Sequence, residues 1–170
     1  MMIKGLKTKL DGELSSTSKV LNDLEIDEII NLCESKIKES INDILNVKFN
    51  SFATEKSFNT MNGLMISINN KLDKFSDIFI AEMGAFRQGE IREKCDFIRP
   101  KYGILTTIGT AHLESFGSQE NVCKAKFELI ESLPSDGIAI LNMDDPYQVK
   151  YKIKSKCKKI WIGIENVDDI

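Results

Sequence analysis

The chain has 170 residues, of which 42% are hydrophobic and 29% are charged, and its formal net charge is −3. Such a composition is typical of a globular domain with a substantial core, and the weak negative charge argues against non-specific nucleic-acid binding. No apolar run approaches the length of a membrane span, and residues 1–18 lack the apolar core of a signal peptide. We therefore expect a cytoplasmic domain with no membrane span and no nucleic-acid partner.

Apolar periodicity divides the chain into alternating helices and strands. Residues 1–18 are polar and basic, and either a frayed tail or a first helix fits them. Helical spacing of apolar residues predicts helices at 19–34, 35–45, 60–72, 89–97, 119–133 and 144–153. Short apolar runs predict strands at 46–54, 77–83, 103–108, 137–142 and 159–164. This alternation implies βαβ units, and hence an α/β fold with a mostly parallel sheet in which Ile78, Phe79 and Ile80 are buried.

The cysteines are far apart in the sequence and contain no CxxC pair; they are Cys33, Cys95, Cys123 and Cys157. The spacing indicates neither a zinc site nor a redox dithiol, so we expect four unpaired thiols in a reducing compartment.

Polar residues follow several predicted strands at their carboxyl ends. Glu82 follows the strand at 77–83, residues 107–112 follow the strand at 103–108, and Asn142 ends the strand at 137–142. Ligands of parallel α/β sheets bind at this edge, so the pattern predicts a site there.

One lysine lies on the apolar side of a predicted helix. The apolar stripe of the helix at 119–133 consists of Val122, Leu129, Ile130 and Leu133. Lys126 falls in the middle of this stripe, whereas Lys124, Glu128 and Glu131 fall opposite it. Burying an unpaired ammonium is costly, so Lys126 needs a partner, a shifted pKa or a chemical modification. The alternative is that its stem packs while its amine reaches water.

Three segments together resemble a known enzyme family: EMGAFRQGEI at 82–91, TTIGTAHLESFGS at 106–118, and KAKFEL at 124–129 followed by GIAILNMDDP at 137–146. As an ordered set they resemble the central, ATP-binding domain of the Mur ligases, which build the peptide of bacterial cell-wall precursors. They are most similar to the MurF type, which adds D-alanyl-D-alanine to a UDP-muramoyl tripeptide. The resemblance implies a three-layer α/β domain, P-loop NTPase-like, with helices on both faces of a mostly parallel sheet.

The resemblance also implies roles for individual residues. Glu82 and His112 match the family's Mg²⁺ ligands, and Lys126 matches the lysine that CO₂ carbamylates, so His112 and Lys126 are the catalytic candidates. Asn59 and Thr60 match the segment that meets the nucleotide-sugar substrate. For Glu82 the alternative is an ordinary strand-end carboxylate, for His112 a loop histidine held by a hydrogen bond, and for the Asn-Thr pair a helix cap.

Two further residues follow the strand at 137–142. Asn142 and Asp145 are candidates for lining the nucleotide edge of the site, and a turn or a helix cap explains them equally well.

The phosphate loop of the family is missing from this chain. That loop is a glycine-rich turn ending in Gly-Lys-Thr, whose backbone N–H groups and lysine cradle the ATP phosphates. No glycine occurs between Gly12 and Gly63. At the expected place the sequence is INLCESKIKESINDIL, in which the remnants of such a loop are Ser35, Lys36, Lys38 and Ser40. We therefore divide the chain into an N-terminal segment, 1–45, that replaces the phosphate-loop region, and an α/β core, 46–170.

The resemblance implies a fragment or degenerate form of an ATP-dependent, MurF-like ligase of peptidoglycan synthesis. Its partners would be a UDP-muramoyl peptide and D-alanyl-D-alanine, and its cofactors Mg²⁺ and ATP, with Lys126 a candidate for carbamylation. The UDP-binding and C-terminal domains of the family are also missing, so we expect the chain alone to be inactive.

Two alternatives stay open. One is a pseudoenzyme that kept the fold as a binding or scaffold module, which the missing phosphate loop favours. The other is a related ligase, such as a folylpolyglutamate synthase or the amidating MurT type. The absence of a CxxC pair weighs against the MurT type, and the residues of the motifs at 82–91 and 106–118 weigh against the synthase.

Overall fold

The computed structural model describes residues 23–55, 58–109 and 113–164, and the chain divides into two compact units, one ending at Glu82 and the other beginning at Met83. The predicted tail or helix at 1–18 and His112 lie outside the described residues. Within the described ranges, no helix combines the length and the apolarity needed to cross a bilayer. The predicted division at residue 45 stays a prediction.

The first unit alternates helix and strand, with elements α1 (Asp23–Leu45), β1 (Ser51–Ala53), α2 (Met61–Lys71) and β2 (Ile78–Ile80). From residue 23 on, the two helices predicted at 19–34 and 35–45 form the single helix α1, since neither glycine nor proline interrupts that stretch. β1 and β2 pair in parallel, with Ser51 opposite Ile78 and Ala53 opposite Ile80. The parallel pairing expected from the sequence is therefore present in this unit.

The prediction that β2 is buried is wrong. Ile78, Phe79 and Ile80 are each only partly buried. The sheet of this unit has two strands in the described residues, so it is too narrow to cover both of its faces. Phe79 is instead shielded by stacking on Phe52 of β1, with ring centroids 4.7 Å apart.

The second unit contains three parallel strands and four helices among its described residues. The elements are α3 (Glu90–Ile98), β3 (Tyr102–Ile104), α4 (Leu113–Phe116), α5 (Gln119–Glu131), β4 (Ile138–Asn142), α6 (Pro146–Lys150) and β5 (Lys158–Ile162). The strand order is β3-β4-β5, and Ile104, Ile140 and Ile160 lie opposite one another. Both units thus confirm an α/β fold built on parallel strands.

Two elements of the second unit are shorter than predicted. β3 ends at Ile104. The N–H of Leu105 still bonds to Ile140 O, but the N–H of Ile108 bonds to the side chain of Asp145, the N-cap of α6. α6 has five residues rather than the ten at 144–153, since Tyr151 leaves the helix in an extended conformation, φ −72° and ψ 131°.

The core of the second unit forms where α5 packs with the strands. Its buried cluster includes Val122, Ala125, Phe127 and Ile130 of α5 with Ala139 and Leu141 of β4. The ring of Phe127 stacks on Tyr151 with centroids 3.7 Å apart and planes 8° from parallel. α5 is therefore buried over more of its circumference than the predicted stripe.

Glu128 illustrates the wider burial of α5 most clearly. The helical wheel places it opposite the apolar stripe, yet the structure buries it. Its carboxylate accepts hydrogen bonds from Gly89 N at 2.6 Å and Arg92 N at 3.0 Å. These N–H groups lie in the first turn of α3, which lacks a side-chain cap of its own. A carboxylate at a helix N-terminus satisfies the unpaired donors and the helix dipole together, and this offsets its burial.

All four cysteines are unpaired thiols, as predicted. Burial raises the pKa of Cys95 and of Cys123 to about 11. At neutral pH these two thiols are protonated and act as small apolar groups of the core.

We expect Phe127→Ala to destabilise the second unit by about 3–5 kcal/mol, since it removes a fully buried ring and its stacking on Tyr151. Urea unfolding followed by circular dichroism measures the change. Phe97→Ala, at a half-exposed ring of α3, is the matched control and should cost much less. Equal losses of unfolding free energy in the two variants would show that the core of the second unit does not form around α5.

Candidate functional site

Glu82, the predicted metal ligand, lies just beyond β2 and is held at both its backbone and its side chain. Its N–H donates to Thr54 Oγ1 at 3.2 Å. Its Oε2 accepts from Lys38 Nζ at 2.9 Å and from Ser35 Oγ at 3.1 Å. The side chains of Lys38 and Glu82 are only 5% and 11% exposed. A largely desolvated ion pair with an added hydroxyl therefore occupies the carboxyl end of β2.

Ser35 and Lys38 belong to the segment that stands where a phosphate loop was expected. They are three residues apart on α1, which places them on the same face of the helix. The sequence identifies them as remnants of the loop but does not predict that they meet Glu82. The i, i+3 spacing of the two residues was the available signal that they share one helix face, but it does not identify Glu82 as their partner.

An internal cation stands at Glu82, the predicted Mg²⁺ ligand. Carboxylate and hydroxyl oxygens are the donors that Mg²⁺ prefers. However, the ammonium of Lys38 lies on the same oxygen, Oε2, that also accepts from Ser35, and a second cation there would be repelled. Across the described ranges no group of three His, Cys, Asp or Glu side chains could hold a metal ion. His112 lies outside these ranges, so its role and that of Glu82 as ligands stay predictions.

Lys126, the other catalytic candidate, is half-buried on α5 between the buried residues Ala125 and Phe127. It belongs to the second unit, whereas Glu82 belongs to the first. The convergence of Glu82, His112 and Lys126 on one pocket therefore stays a prediction, as does carbamylation of Lys126.

The two predicted substrate residues stand at the start of α2. Thr60 is the N-cap of this helix, and its Oγ1 accepts from Gly63 N at 3.2 Å. Asn59 precedes it and is partly buried. The cap is thus present, and contact with a substrate stays a prediction for both residues.

The two predicted nucleotide-edge residues take part in a hydrogen-bond network at the carboxyl ends of β3 and β4. The buried Asp145 caps α6 by accepting from Tyr147 N at 2.9 Å, and its second oxygen accepts from Ile108 N at 2.6 Å. Asn142 donates from Nδ2 to Thr106 O at 2.9 Å. Both side chains hold the segment after β3 in place, and their contact with a nucleotide stays a prediction.

A buried glutamine completes this network and was missed by the sequence analysis. Gln148, which is fully buried on α6, accepts from Asn142 N at 2.9 Å through Oε1. Its Nε2 lies 3.3 Å from Asp145 Oδ2 and 3.5 Å from Leu105 O. A glutamine in a short amphipathic helix normally faces water, so its position gave no signal.

A second missed residue is Lys94, a buried lysine on α3. Its Nζ donates to Gly84 O at 2.8 Å and lies 3.4 Å from Glu90 O. Burial lowers the pKa of Lys94, and the nearby carboxylate of Glu90 opposes that shift. Glu90 in turn accepts from Phe86 N at 2.8 Å, and this hydrogen bond holds the pKa of its carboxyl below the usual value. α3 thereby fixes the loop that precedes it from both ends.

We expect Lys38→Met to destabilise the protein by about 3–5 kcal/mol, because it leaves the Glu82 carboxylate desolvated without its cation. Glu82→Gln should also be destabilising, and the double variant should lose much less than the sum of the two. A double-mutant cycle by urea unfolding measures this coupling. Simple additivity would mean that the two side chains do not interact in solution.

Asp145→Ala should cost about 2–4 kcal/mol, since it removes the cap of α6 and leaves Ile108 N–H without its acceptor. Asp136→Ala is the control, at an exposed carboxylate paired with the exposed Lys101. Thermal unfolding of the two variants provides the comparison. A negligible loss of stability in Asp145→Ala would contradict the structural role of Asp145 and would favour a role in ligand binding.

Comparison with known proteins agrees with the motifs. The profile of the Mur ligase middle domain matches residues 31–170. The UDP-N-acetylmuramoyl-tripeptide--D-alanyl-D-alanine ligase of Escherichia coli K12 is 31% identical over 128 residues, which are 75% of this chain and 28% of that protein. The same-named ligase of Bacillus subtilis 168 is 30% identical over 120 residues, 70% of this chain and 26% of that protein. The chain thus spans about 28% of the length of the Escherichia coli relative.

Solved structures give the same answer. The crystal structure of the MurF ligase from Thermotoga maritima in complex with ADP matches with a TM-score of 0.69 and 34% identity, covering 75% of this chain and 30% of that one. A MurF structure from Acinetobacter baumannii matches with a TM-score of 0.65 and 26% identity, over 74% of this chain and 27% of that one. The chain therefore belongs to the Mur ligase middle-domain family.

Proposed function

We propose that this chain is the middle domain of a MurF-type ligase, and that its nucleotide site is degenerate. The reaction of the whole enzyme would join D-alanyl-D-alanine to a UDP-muramoyl tripeptide in the cytoplasm, at the expense of ATP, during peptidoglycan synthesis. The names of the Escherichia coli and Bacillus subtilis relatives and the ADP complex of the Thermotoga maritima neighbour support this assignment.

The ion pair between Lys38 and Glu82 carries the proposal of a degenerate site. In a ligase of this kind ATP would phosphorylate a substrate carboxylate, and the incoming amine would displace phosphate to form the amide. Phosphoryl transfer depends on positive charge positioned at the phosphates. Here the amine of Lys38 is 2.9 Å from a carboxylate oxygen, and no glycine lies between Gly12 and Lys38 to form a phosphate-binding turn. The 170-residue chain on its own is therefore expected to bind ATP weakly and to be inactive.

The remaining site assignments belong to the same proposal. Asn59 and Thr60 would contact the UDP-muramoyl peptide, and Asn142 and Asp145 would face the nucleotide. Lys126 would carry a carbamate. The carbamate on Lys126 is supported by the match of the KAKFEL segment to the family and by the half-buried position of Lys126 on α5.

A second candidate function is a binding or scaffold module without catalysis. The observation that favours it is again the Lys38–Glu82 pair, because Glu82 neutralises a cation that a phosphate ligand would need. The degenerate ligase domain and the scaffold module differ in whether a substitution in the chain can restore nucleotide binding.

Titration calorimetry of the intact chain with MgATP tests both. We expect no saturable binding in the micromolar range for the natural sequence, and tight binding would contradict the degenerate site. Glu82→Gln distinguishes the two roles of this residue. If the carboxylate withholds Lys38 from phosphate, the variant should bind ATP more tightly, whereas a carboxylate that holds Mg²⁺ should leave the variant weaker. Circular dichroism of the variant controls for folding.

A further inference from the structure

The strongest charge asymmetry of the chain lies in a segment of the second unit that contains none of the predicted site residues. Residues 150–159 contain six lysines, and no Asp or Glu occurs at 146–164. The chain as a whole carries a net charge of −3, so this segment concentrates positive charge against the overall balance.

Burial alternates along this segment and sorts its side chains onto two sides. The exposed lysines occupy every second position and form what we name the lysine row: Lys150, Lys152, Lys154, Lys156 and Lys158. Between them, Tyr151 and Ile153 pack against the core, and Cys157 is buried in it. The apolar residues thus hold the segment down while the lysines face outward.

Hydrogen bonds fix the backbone beneath the lysine row. Glu131 of α5 accepts from Lys154 N at 2.9 Å and from Ser155 N at 2.8 Å. The ion pairs found among the described residues include none of the five ammonium groups of the row. Lys159 is different, since its Nζ donates to Ser155 O at 2.6 Å. The row therefore consists of exposed cations on a backbone that Glu131 anchors at residues 154 and 155.

The same alternation continues from the lysine row into exposed aliphatic side chains. Ile160, Ile162 and Ile164 follow Lys158 at alternate positions and are 38%, 55% and 50% exposed. The first two lie on β5, an edge strand of the described sheet. The lysine row is thus followed, at the same alternate positions, by three exposed isoleucines.

We propose that the lysine row and these isoleucines form a surface for peripheral binding to an anionic lipid bilayer. Clustered lysines are attracted to acidic headgroups, and adjoining aliphatic side chains can enter the headgroup boundary; together they supply the two signals that stable membrane contact requires. A nucleic-acid surface would favour Arg, which binds phosphate with two parallel N–H groups, and aromatic platforms for stacking. The segment contains no Arg. This surface is independent of the proposed ligase chemistry.

Vesicle sedimentation with the intact chain tests the proposal. The protein should sediment with vesicles of phosphatidylcholine and phosphatidylglycerol in roughly equal amounts, and not with pure phosphatidylcholine. Replacing Lys152, Lys154 and Lys156 together by Gln should reduce partitioning about a hundredfold, given the attraction of each lysine to an anionic surface. The control replaces Lys48, Lys71 and Lys74 by Gln, which gives the same net charge at exposed sites of the first unit and should retain binding.

A second variant tests the aliphatic part. Ile162→Ser should weaken partitioning in high salt, where the electrostatic attraction is screened, and far-UV circular dichroism should show an unchanged fold. Equal losses in the two triple variants, or equal binding to both kinds of vesicle, would overturn the proposal. Fluorescence anisotropy with a single-stranded oligothymidine provides the last comparison. Row-dependent binding to that strand, without vesicle binding, would assign the row to nucleic acid instead.

Discussion

A carboxylate that accepts two backbone N–H groups is the interaction on which the second unit depends. Glu128 binds the first turn of α3, Glu131 binds the segment that precedes β5, and Asp145 joins α6 to the segment after β3. In each case one side chain satisfies two backbone N–H groups, at the start of a helix or in irregular backbone. Burying a charge is tolerated because both oxygens are satisfied by donors that would otherwise be unpaired.

Glu82 of the first unit follows a different rule, since its partner is a cation rather than the backbone. Lys38 and Ser35 converge on one carboxylate oxygen at the end of β2. The positive charge that would face a phosphate group in a nucleotide site is thereby used within the protein. Membership of the Mur ligase family and the proposed loss of a working phosphate site are compatible, because the fold is maintained by packing whereas the site depends on a few side chains.

The two ends of the second unit differ in how charge is used. Two buried charged groups of α3 and α5, Lys94 and Glu128, bond to backbone. In the segment before β5 the lysines face water, and one glutamate beneath them holds the backbone. Internal charge thus fixes loops, and external charge is left available for a partner surface.

The sequence by itself determined the parallel α/β fold, the family, and the helix starts near Thr60 and at Gln119. These follow from local periodicity, from cap residues and from ordered motifs, each readable within a few positions. The tertiary structure decided the rest: the early end of β3, the incomplete burial of β2, the burial of Glu128, and the pairing of Lys38 with Glu82. These features join residues that are tens of positions apart, and local periodicity contains no information on which distant donor a side chain will meet. Burial on a helix depends on what packs against each face, so a helical wheel could not distinguish the solvated Lys124 from the buried Glu128.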